Sequence, residues 1–188
     1  MKQELQRGLE LLQSRKLKEA VEVFEAVLYE DPSDADALCN IGIAFTELGE
    51  NDKAVKALTY CLKLDPDNPD ALEAMGCAYL RLERYGDAGT FLERALTHDP
   101  DNASVLRNLG VLYSKTGDAD RCYSCLKRSA EIDPHDFLTQ YALASAHAYF
   151  RKYDESRSIL EGLVVNSDTP EDIRALAEQD LRRLEKLV

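Results

Sequence analysis

The sequence predicts an all-α solenoid of antiparallel helix pairs, and composition, period and apolar spacing support that prediction. Gly and Pro, which interrupt helices, number only 9 and 6 among 188 residues. The dipeptide Asp-Pro recurs at 34-residue steps, and a glycine recurs at the same step. Between these markers the apolar residues follow helical spacing. A period of this length is typical of proteins built from stacked repeats.

Two columns of residues define the repeat boundaries. Their members are Asp31-Pro32, Asp65-Pro66, Asp99-Pro100 and Asp133-Pro134, with Gly8, Gly42, Gly76 and Gly110. We therefore predict a single domain over residues 1–188. It contains five units, residues 1–34, 35–68, 69–102, 103–136 and 137–170, and a capping helix over residues 170–188.

Each inner unit carries start and stop signals for two helices. Side chains of the Asp and Asn type accept hydrogen bonds from the free N-H groups of a starting helix. These residues are Asp34, Asn68, Asn102 and Asp136. Pro69 suits the first helical turn. Gly49 and Gly117 are placed to end the first helix in the left-handed conformation.

Small residues mark where the two helices of a unit approach most closely. The glycine column lies on the first helix, and the second helix carries Ala20, Ala54, Ala88 and Cys122. The space between them is filled by large residues, namely Phe24, Leu58, Leu92, Leu126 and Leu160. Each unit is thus expected to bury one face against its neighbour.

The two ends depart from the repeat. Unit one carries Glu4 and Arg7 where inner units carry apolar residues, and unit five has His147 in the aromatic column. Thr169 is expected to cap the last helix, with Pro170 in its first turn. The apolar stripe of that helix is expected to be Ile173, Leu176, Ala177, Leu181, Leu184 and Leu187.

These columns resemble the tetratricopeptide repeat. In unit two the matching residues are Ile41-Gly42, Phe45, Ala54, Leu62 and Asp65-Pro66, and in unit four they are Leu109-Gly110, Tyr113, Leu126 and Asp133-Pro134. The resemblance covers residues 1–170. It implies a right-handed superhelical solenoid whose first helices line a concave, ligand-holding face, and it implies protein binding without catalysis.

Composition and charge exclude several classes of function. The net charge of -12 disfavours nucleic acid and anionic membranes and favours a basic or amphipathic protein partner. No apolar run approaches the roughly 20 residues that cross a bilayer, and no signal peptide is evident, so we expect no membrane insertion and a cytoplasmic location. The five cysteines are then expected to be reduced thiols.

No residue pattern predicts catalysis, a metal site or a cofactor. Cys122 and Cys125 have the spacing of half a zinc site or a redox pair, but no second pair exists and Cys122 lies in the small-residue column. His98, His135 and His147 fall in different columns. We expect packing roles for Cys122 and His147, a loop position for His135, and no enzyme activity.

The resemblance places a candidate peptide groove on the first helices. The expected groove residues are Leu5, Leu9, Leu12, Cys39, Asn40, Ile43, Glu47, Cys77, Leu80, Arg81, Asn108, Val111, Lys115, Tyr141 and Tyr149. Cys39 and Cys77 are left open as apolar contacts or exposed thiols, and Ile43, Cys77 and Val111 are equally expected to pack adjacent first helices together. The carboxylate clamp of some family members is incomplete, because its basic positions hold Asp36, Asp70, Ala74 and Ser104.

The sequence therefore leads to an adaptor that binds a peptide or protein segment in this groove. A self-assembling scaffold is the alternative, with the Leu5, Leu9 and Leu12 stripe or the terminal helix docking on a second copy. Zinc or thiol chemistry at Cys122 and Cys125 is a distant third hypothesis.

Overall fold

A computed structural model describes residues 2–186, which form eleven α-helices and no strand. The helices are α1 (Lys2–Gln13), α2 (Leu17–Glu30), α3 (Ala35–Leu48), α4 (Asn51–Leu64), α5 (Pro69–Arg81), α6 (Tyr85–His98), α7 (Ala103–Thr116), α8 (Ala119–Ile132), α9 (Phe137–Tyr149), α10 (Tyr153–Val165) and α11 (Glu171–Leu184). The all-α prediction is confirmed. None of the helices in the described part of the chain is long and apolar enough to span a membrane.

The contacts between helices group the five repeats into two larger compact units. From here on, the first unit is the one that ends at Pro100 and the second unit is the one that begins at Asp101. In the first unit, α1 to α6 pack as three consecutive pairs, and Phe24, Leu58 and Leu92 are fully buried between the helices. In the second unit, α7 to α10 form two pairs and α11 packs on α10. Leu126 and Leu160 hold the corresponding buried positions there.

The predicted N-terminal caps of the first helices are formed. In each case a side-chain oxygen accepts a hydrogen bond from a backbone N-H of the first turn, which satisfies one of the free donors of the helix. The acceptor and donor residues are Asp34 and Ala37 (2.9 Å), Asn68 and Ala71 (2.9 Å), Asn102 and Val105 (2.9 Å), and Asp136 and Leu138 (3.1 Å). Pro69 is the first residue of α5, as predicted.

The predicted close approach of the two helices in a unit is also present. A Cβ atom added at Gly42 would lie 2.5 Å from Leu58 Cγ, and one added at Gly8 would lie 2.4 Å from Phe24 Cε1. Both distances are far inside van der Waals contact, so glycine is needed for the large side chain to fit. Gly76 and Gly110 stand in the same relation to Leu92 and Leu126.

One residue with a left-handed backbone conformation follows the first helix of every 34-residue repeat. Gly49 and Gly117 have φ of 78° and 83°, as their positions predicted. The other three repeats have a non-glycine residue at this position, namely Arg15, Glu83 and Arg151, each with φ near 60°. A Cβ atom makes this conformation unfavourable by roughly 1–2 kcal/mol. The turn is therefore set by the packing of the helix pair and not by glycine alone.

A buried polar network joins α7, α8 and α9 in the second unit. Ser129 Oγ donates to the carbonyl of Ala103 at 2.7 Å and lies 3.1 Å from Thr139 Oγ1. Thr139 Oγ1 donates to Asp136 Oδ2 at 2.7 Å, and Arg107 Nη1 lies 2.5 Å from the same oxygen. Burial raises the pKa of Asp136, but these two donors outweigh it and hold the pKa below its ordinary value of 3.8.

The capping helix differs in three details from the prediction. It begins one residue later than expected, because Pro170 occupies the capping position and no side chain caps the helix. Thr169 is buried just before it. Leu176 was expected in the buried stripe but is 44% exposed, since Ile173, Ala177 and Leu184 form the packed face. Leu187, also predicted in that stripe, lies outside the described residues.

The glycine contact predicts a large difference between two substitutions of the same kind. Gly76→Leu is expected to lower the free energy of unfolding by about 1–3 kcal/mol or more, because the new side chain overlaps the fully buried Leu92. Gly162→Leu is expected to raise it by roughly 0.5–1 kcal/mol, because nothing lies within 4 Å of a Cβ there and leucine favours the helix more than glycine does. Urea denaturation measures both. Equal stabilities would contradict the contact.

The left-handed position predicts opposite effects of two other substitutions. Glu83→Gly is expected to raise the free energy of unfolding by roughly 0.5–1 kcal/mol, because glycine removes the Cβ clash and loses only part of that gain to its greater freedom in the unfolded chain. Gly117→Ala is expected to lower it by about 1 kcal/mol. Thermal denaturation with both variants checks the pair, and a loss of stability in Glu83→Gly would disprove the explanation.

The Asp136 network predicts an acid-dependent loss of stability. The pKa of Asp136 is lower in the folded chain than its ordinary value, so its contribution is complete at neutral pH and is lost as the pH falls through the folded-state pKa. Asp136→Asn should therefore be less stable than the parent at pH 7, and the difference should shrink toward pH 3. Denaturation across this range tests it. The exposed Asp120→Asn serves as control, and a pH-independent difference would contradict the network.

Candidate functional site

An open cleft of about 430 Å³ lies in the second unit between the first helices α7 and α9, with α8 behind them. Four of the groove residues predicted from the sequence line it together, namely Val111, Lys115, Tyr141 and Tyr149. Most of the remaining lining is apolar, and it contains no histidine or carboxylate. Its volume is within the range of ligand-binding pockets, about 300–1,000 Å³. The arrangement can hold apolar groups.

Small side chains on α9 keep the cleft open. Ala142, Ser145 and Ala146 face it from this helix. Ser145 stands 34 residues after Val111 and 68 after Cys77, and its side chain is smaller and more polar than either. In the first unit α3 packs directly on α5, whereas the cleft separates α7 from α9. Because α7 and α9 stay apart and the side chains of α9 are small, room is left for another molecule.

Tyr141 is held in place by the capping helix. Its hydroxyl donates a hydrogen bond of 2.7 Å to Asp180 Oδ2, and Asp180 is paired in turn with Arg183 at 2.8 Å. Burial first, and then the Asp180 carboxylate, raises the pKa of Tyr141 to about 12. The ring is thus a neutral wall of the cleft. The capping helix positions it, which gives α11 a role beyond covering the end of the repeat.

An aromatic cluster forms the mouth of the cleft at the end of α9. Tyr149 is 73% exposed and meets Phe150 edge to face, with ring centroids 5.3 Å apart. Phe150 contacts Tyr123, which also meets His147 at 5.3 Å and lies under the Lys152 ammonium. Burial lowers the pKa of His147, so the ring is uncharged at neutral pH. His147 fills the aromatic column, as the sequence indicated.

Lys115 is the charged residue of the cleft lining. It lies in the last turn of α7, and its side chain is exposed beside apolar walls. Coulomb interactions strengthen where low-dielectric groups replace water, so an ammonium at such a rim attracts a carboxylate more strongly than a fully solvated one does. The cleft therefore combines an apolar interior with a single positive charge.

The other eleven predicted groove residues lie outside this cleft. On α1 the leucines Leu5, Leu9 and Leu12 are half-buried, and so are Ile43, Cys77 and Leu80 on α3 and α5, Asn40 on α3 and Asn108 on α7. Glu47 and Arg81 are exposed. The remaining residue, Cys39, was expected on the groove face and is only 6% exposed.

Local contacts explain what these residues do. Cys39 Sγ lies 3.6 Å from Asn68 Oδ1, so it packs between helices and is corrected from a groove residue to a core residue. The Asn40 amide donates to the carbonyl of Asp36 in its own helix at 2.7 Å. Glu47 pairs with Arg15 at 2.6 Å. In the first unit these polar groups therefore already serve the fold.

The cysteines do not form a metal site within the described residues. Cys122 is buried and Cys125 half-buried, and burial raises the pKa of both thiols. Residues 2–186 contain no group of three His, Cys, Asp or Glu side chains that could hold a metal ion. The position of Cys122 against the helix pair agrees with its predicted packing role.

Sequence reasoning missed several lining residues. Ser114, Ser145 and Phe150 contribute to the cleft, although none was among the predicted residues. Ser114 and Ser145 stand three and four residues after Val111 and Tyr141, so helical spacing could have found them. Phe150 caps α9 and lies beyond its last turn, where no helical spacing applies. Its position depends on the turn that follows the helix.

Comparison with known families identifies the repeat. A profile described as "Tetratricopeptide repeat" matches residues 79–146, and one described as "Psidin, N-terminal TPR repeats region" matches residues 3–91. No curated protein matches the chain significantly.

Solved structures of similar fold are distant in sequence. TTC0263, a thermophilic TPR protein of Thermus thermophilus, is 20% identical with a TM-score of 0.81, covering 96% of this chain and 98% of its own. Pseudomonas aeruginosa pilF is 21% identical with a TM-score of 0.75, covering 97% and 90%. A chain of the APC/C hetero-tetramer Cut9-Hcn1 is 19% identical with a TM-score of 0.81, covering 93% and 35%. With its helix pairs, recurring columns and two family matches, the chain belongs to the tetratricopeptide repeat family.

Proposed function

We propose that this protein is a non-catalytic adaptor that holds a segment of another protein in the cleft between α7 and α9. Tetratricopeptide repeats generally serve protein interaction or scaffolding. The observation that carries the proposal is the apolar cleft, which gathers Val111, Lys115, Tyr141 and Tyr149 around about 430 Å³ of open space. Exposed aromatic residues beside such a space are typical of the residues that dominate binding energy.

The charge of the first three repeats supports binding. Residues 1–102 carry 21 acidic and 11 basic side chains, whereas residues 103–188 carry 14 and 12. The acidic half would attract basic stretches of a partner and speed its encounter. The groove residues of this half, including Leu9, Ile43 and Leu80, are proposed as secondary contacts, because each retains some exposure.

The alternative is a self-assembling scaffold. Val165 at the end of α10 is 84% exposed, and Leu176 on α11 is exposed as well. Apolar residues at the end of a repeat array are suited to docking on a second copy. The sequence suggested that Leu5, Leu9 and Leu12 on α1 dock on a second copy. These side chains are half-buried, so they support self-assembly less than exposed leucines would. Sedimentation velocity at several concentrations separates the two functions, and a monomer supports the adaptor.

The adaptor function predicts that the exposed Tyr149 contributes to the affinity for a partner peptide and that the exposed Tyr29 does not. Peptides selected from a displayed random library on the parent protein provide the ligand, and titration calorimetry provides the affinity. Tyr149→Ser should weaken binding at least about tenfold, because truncating an anchor commonly costs about 2 kcal/mol or more. The helical content should stay unchanged, since Tyr149 is largely exposed.

Tyr29→Ser is the matched control. Tyr29 is 86% exposed on the second helix α2, and its removal should leave the affinity unchanged. If Tyr29→Ser abolishes binding while Tyr149→Ser does not, the partner uses the second helices and the cleft is not the site. A library that yields no binder with micromolar affinity would also count against the adaptor.

A further inference from the structure

We propose that the cleft between α7 and α9 selects a protein segment that carries two bulky apolar side chains beside an acidic one, with Lys115 pairing with the acid. This inference rests on the proposed adaptor function and adds the chemistry of the ligand. It departs from the basic partner that net charge alone predicted. Capacity, local charge and the geometry of the walls each support it.

The capacity of the cleft fits two ring-sized groups. An apolar cavity of about 150 Å³ accepts a benzene molecule, and this cleft measures about 430 Å³. Its walls are Val111 and Tyr113 on one side and Tyr141 and Tyr149 on the other. Burying a large apolar side chain gives about 1.5–3 kcal/mol. The cleft therefore has room for two such anchors and for part of the residue that joins them.

The local charge of the cleft is opposite to that of the whole chain. The chain carries a net charge of -12, but most of the excess lies in residues 1–102, and residues 103–188 hold 14 acidic and 12 basic side chains. Within the lining the charged group is the Lys115 ammonium. The two carboxylates nearest the lining, Asp118 and Asp180, are paired with Arg121 and Arg183. Acidic groups farther away are screened over about 8 Å at physiological salt, so Lys115 sets the charge preference of the cleft.

Two other polar groups of the walls are already engaged. Tyr141 donates its hydroxyl to Asp180, and Ser145 Oγ donates to the Tyr141 carbonyl at 3.1 Å. Lys115 thus provides the charged donor for a ligand at this rim. Because Lys115 lines the cleft, the ligand group that pairs with its ammonium must lie next to the two apolar side chains that fill the cleft. An acidic side chain meets that condition with both anchors seated, and we assign the carboxylate to a side chain and not to a chain end.

Tripeptides with defined ends test the assignment on the full-length, 15N-labelled protein. The acetylated and amidated peptides Phe-Glu-Leu, Phe-Lys-Leu and Ala-Glu-Ala differ in charge or in anchors, and acetylated Phe-Gln-Leu with a free C-terminus supplies a terminal carboxylate. Phe-Glu-Leu should shift the amide signals of Ser114, Lys115 and Ser145 saturably. Phe-Lys-Leu should bind about two- to fivefold more weakly, the range of an exposed ion pair. Ala-Glu-Ala should give no saturable shift.

Two lysine variants assign the charge preference to one residue. Lys115→Met keeps the length and apolar stem of the side chain, and it should remove the difference between Phe-Glu-Leu and Phe-Lys-Leu. Lys127→Met removes a lysine on α8 that pairs with Glu131 outside the cleft, and it should preserve the difference. The amide spectrum of each free variant shows that it is folded.

The outcomes separate this inference from the adaptor function. Equal binding of the acidic and basic peptides at the cleft would overturn the charge preference and leave the adaptor function standing. Tighter binding of the peptide with a free C-terminus would overturn the assignment to a side chain. If no peptide shifts the cleft residues, while library-selected peptides still bind the parent and lose affinity in Tyr149→Ser, the ligand chemistry is wrong. If library-selected peptides also do not bind the parent, or bind Tyr149→Ser with unchanged affinity, the adaptor function is wrong.

Discussion

The contact between a glycine on one helix and a large side chain on the next is the constraint on which the rest of this structure depends. At Gly8, Gly42, Gly76 and Gly110 the backbone of the first helix comes so close to Phe24 or a leucine that no Cβ atom fits. This steric rule fixes which faces of the two helices meet. It also fixes which faces remain for neighbours and ligands, because the buried stripe of each helix is then determined.

That rule explains why the fold could be predicted from sequence and where the prediction ended. The glycine, Asp-Pro and capping columns recur at one spacing, so the pairs and their starts are readable from the chain. The start of α11 was predicted one residue early, because Thr169 has the chemistry of a cap but its side chain is buried instead. The left-handed Arg15, Glu83 and Arg151 had no signal, since tertiary packing imposes that conformation.

The candidate site was predictable only in part. Helical spacing placed Val111, Lys115, Tyr141 and Tyr149 on faces that the structure brings to one cleft. It did not reveal that Cys39 would be covered, because burial depends on the next helix pair. Nor did it reveal the cleft itself, which exists because α7 and α9 stay apart where α3 and α5 pack together. The column position of a residue thus predicts the direction of its side chain, whereas the spacing between neighbouring helices decides whether a ligand can reach that side chain.

The same helix pairing leaves α9 with two functions, since it packs on α10 and α11 and presents Tyr141, Ser145 and Tyr149 to the cleft. The most direct test of the central claim, that the cleft holds a partner segment, is isotope-filtered nuclear Overhauser spectroscopy on the protein with a library-selected peptide bound. Contacts should join apolar peptide side chains to the ring protons of Tyr141 and Tyr149 and to the methyl groups of Val111. Contacts confined to residues of the second helices, such as Tyr29 or Tyr60, would contradict the account.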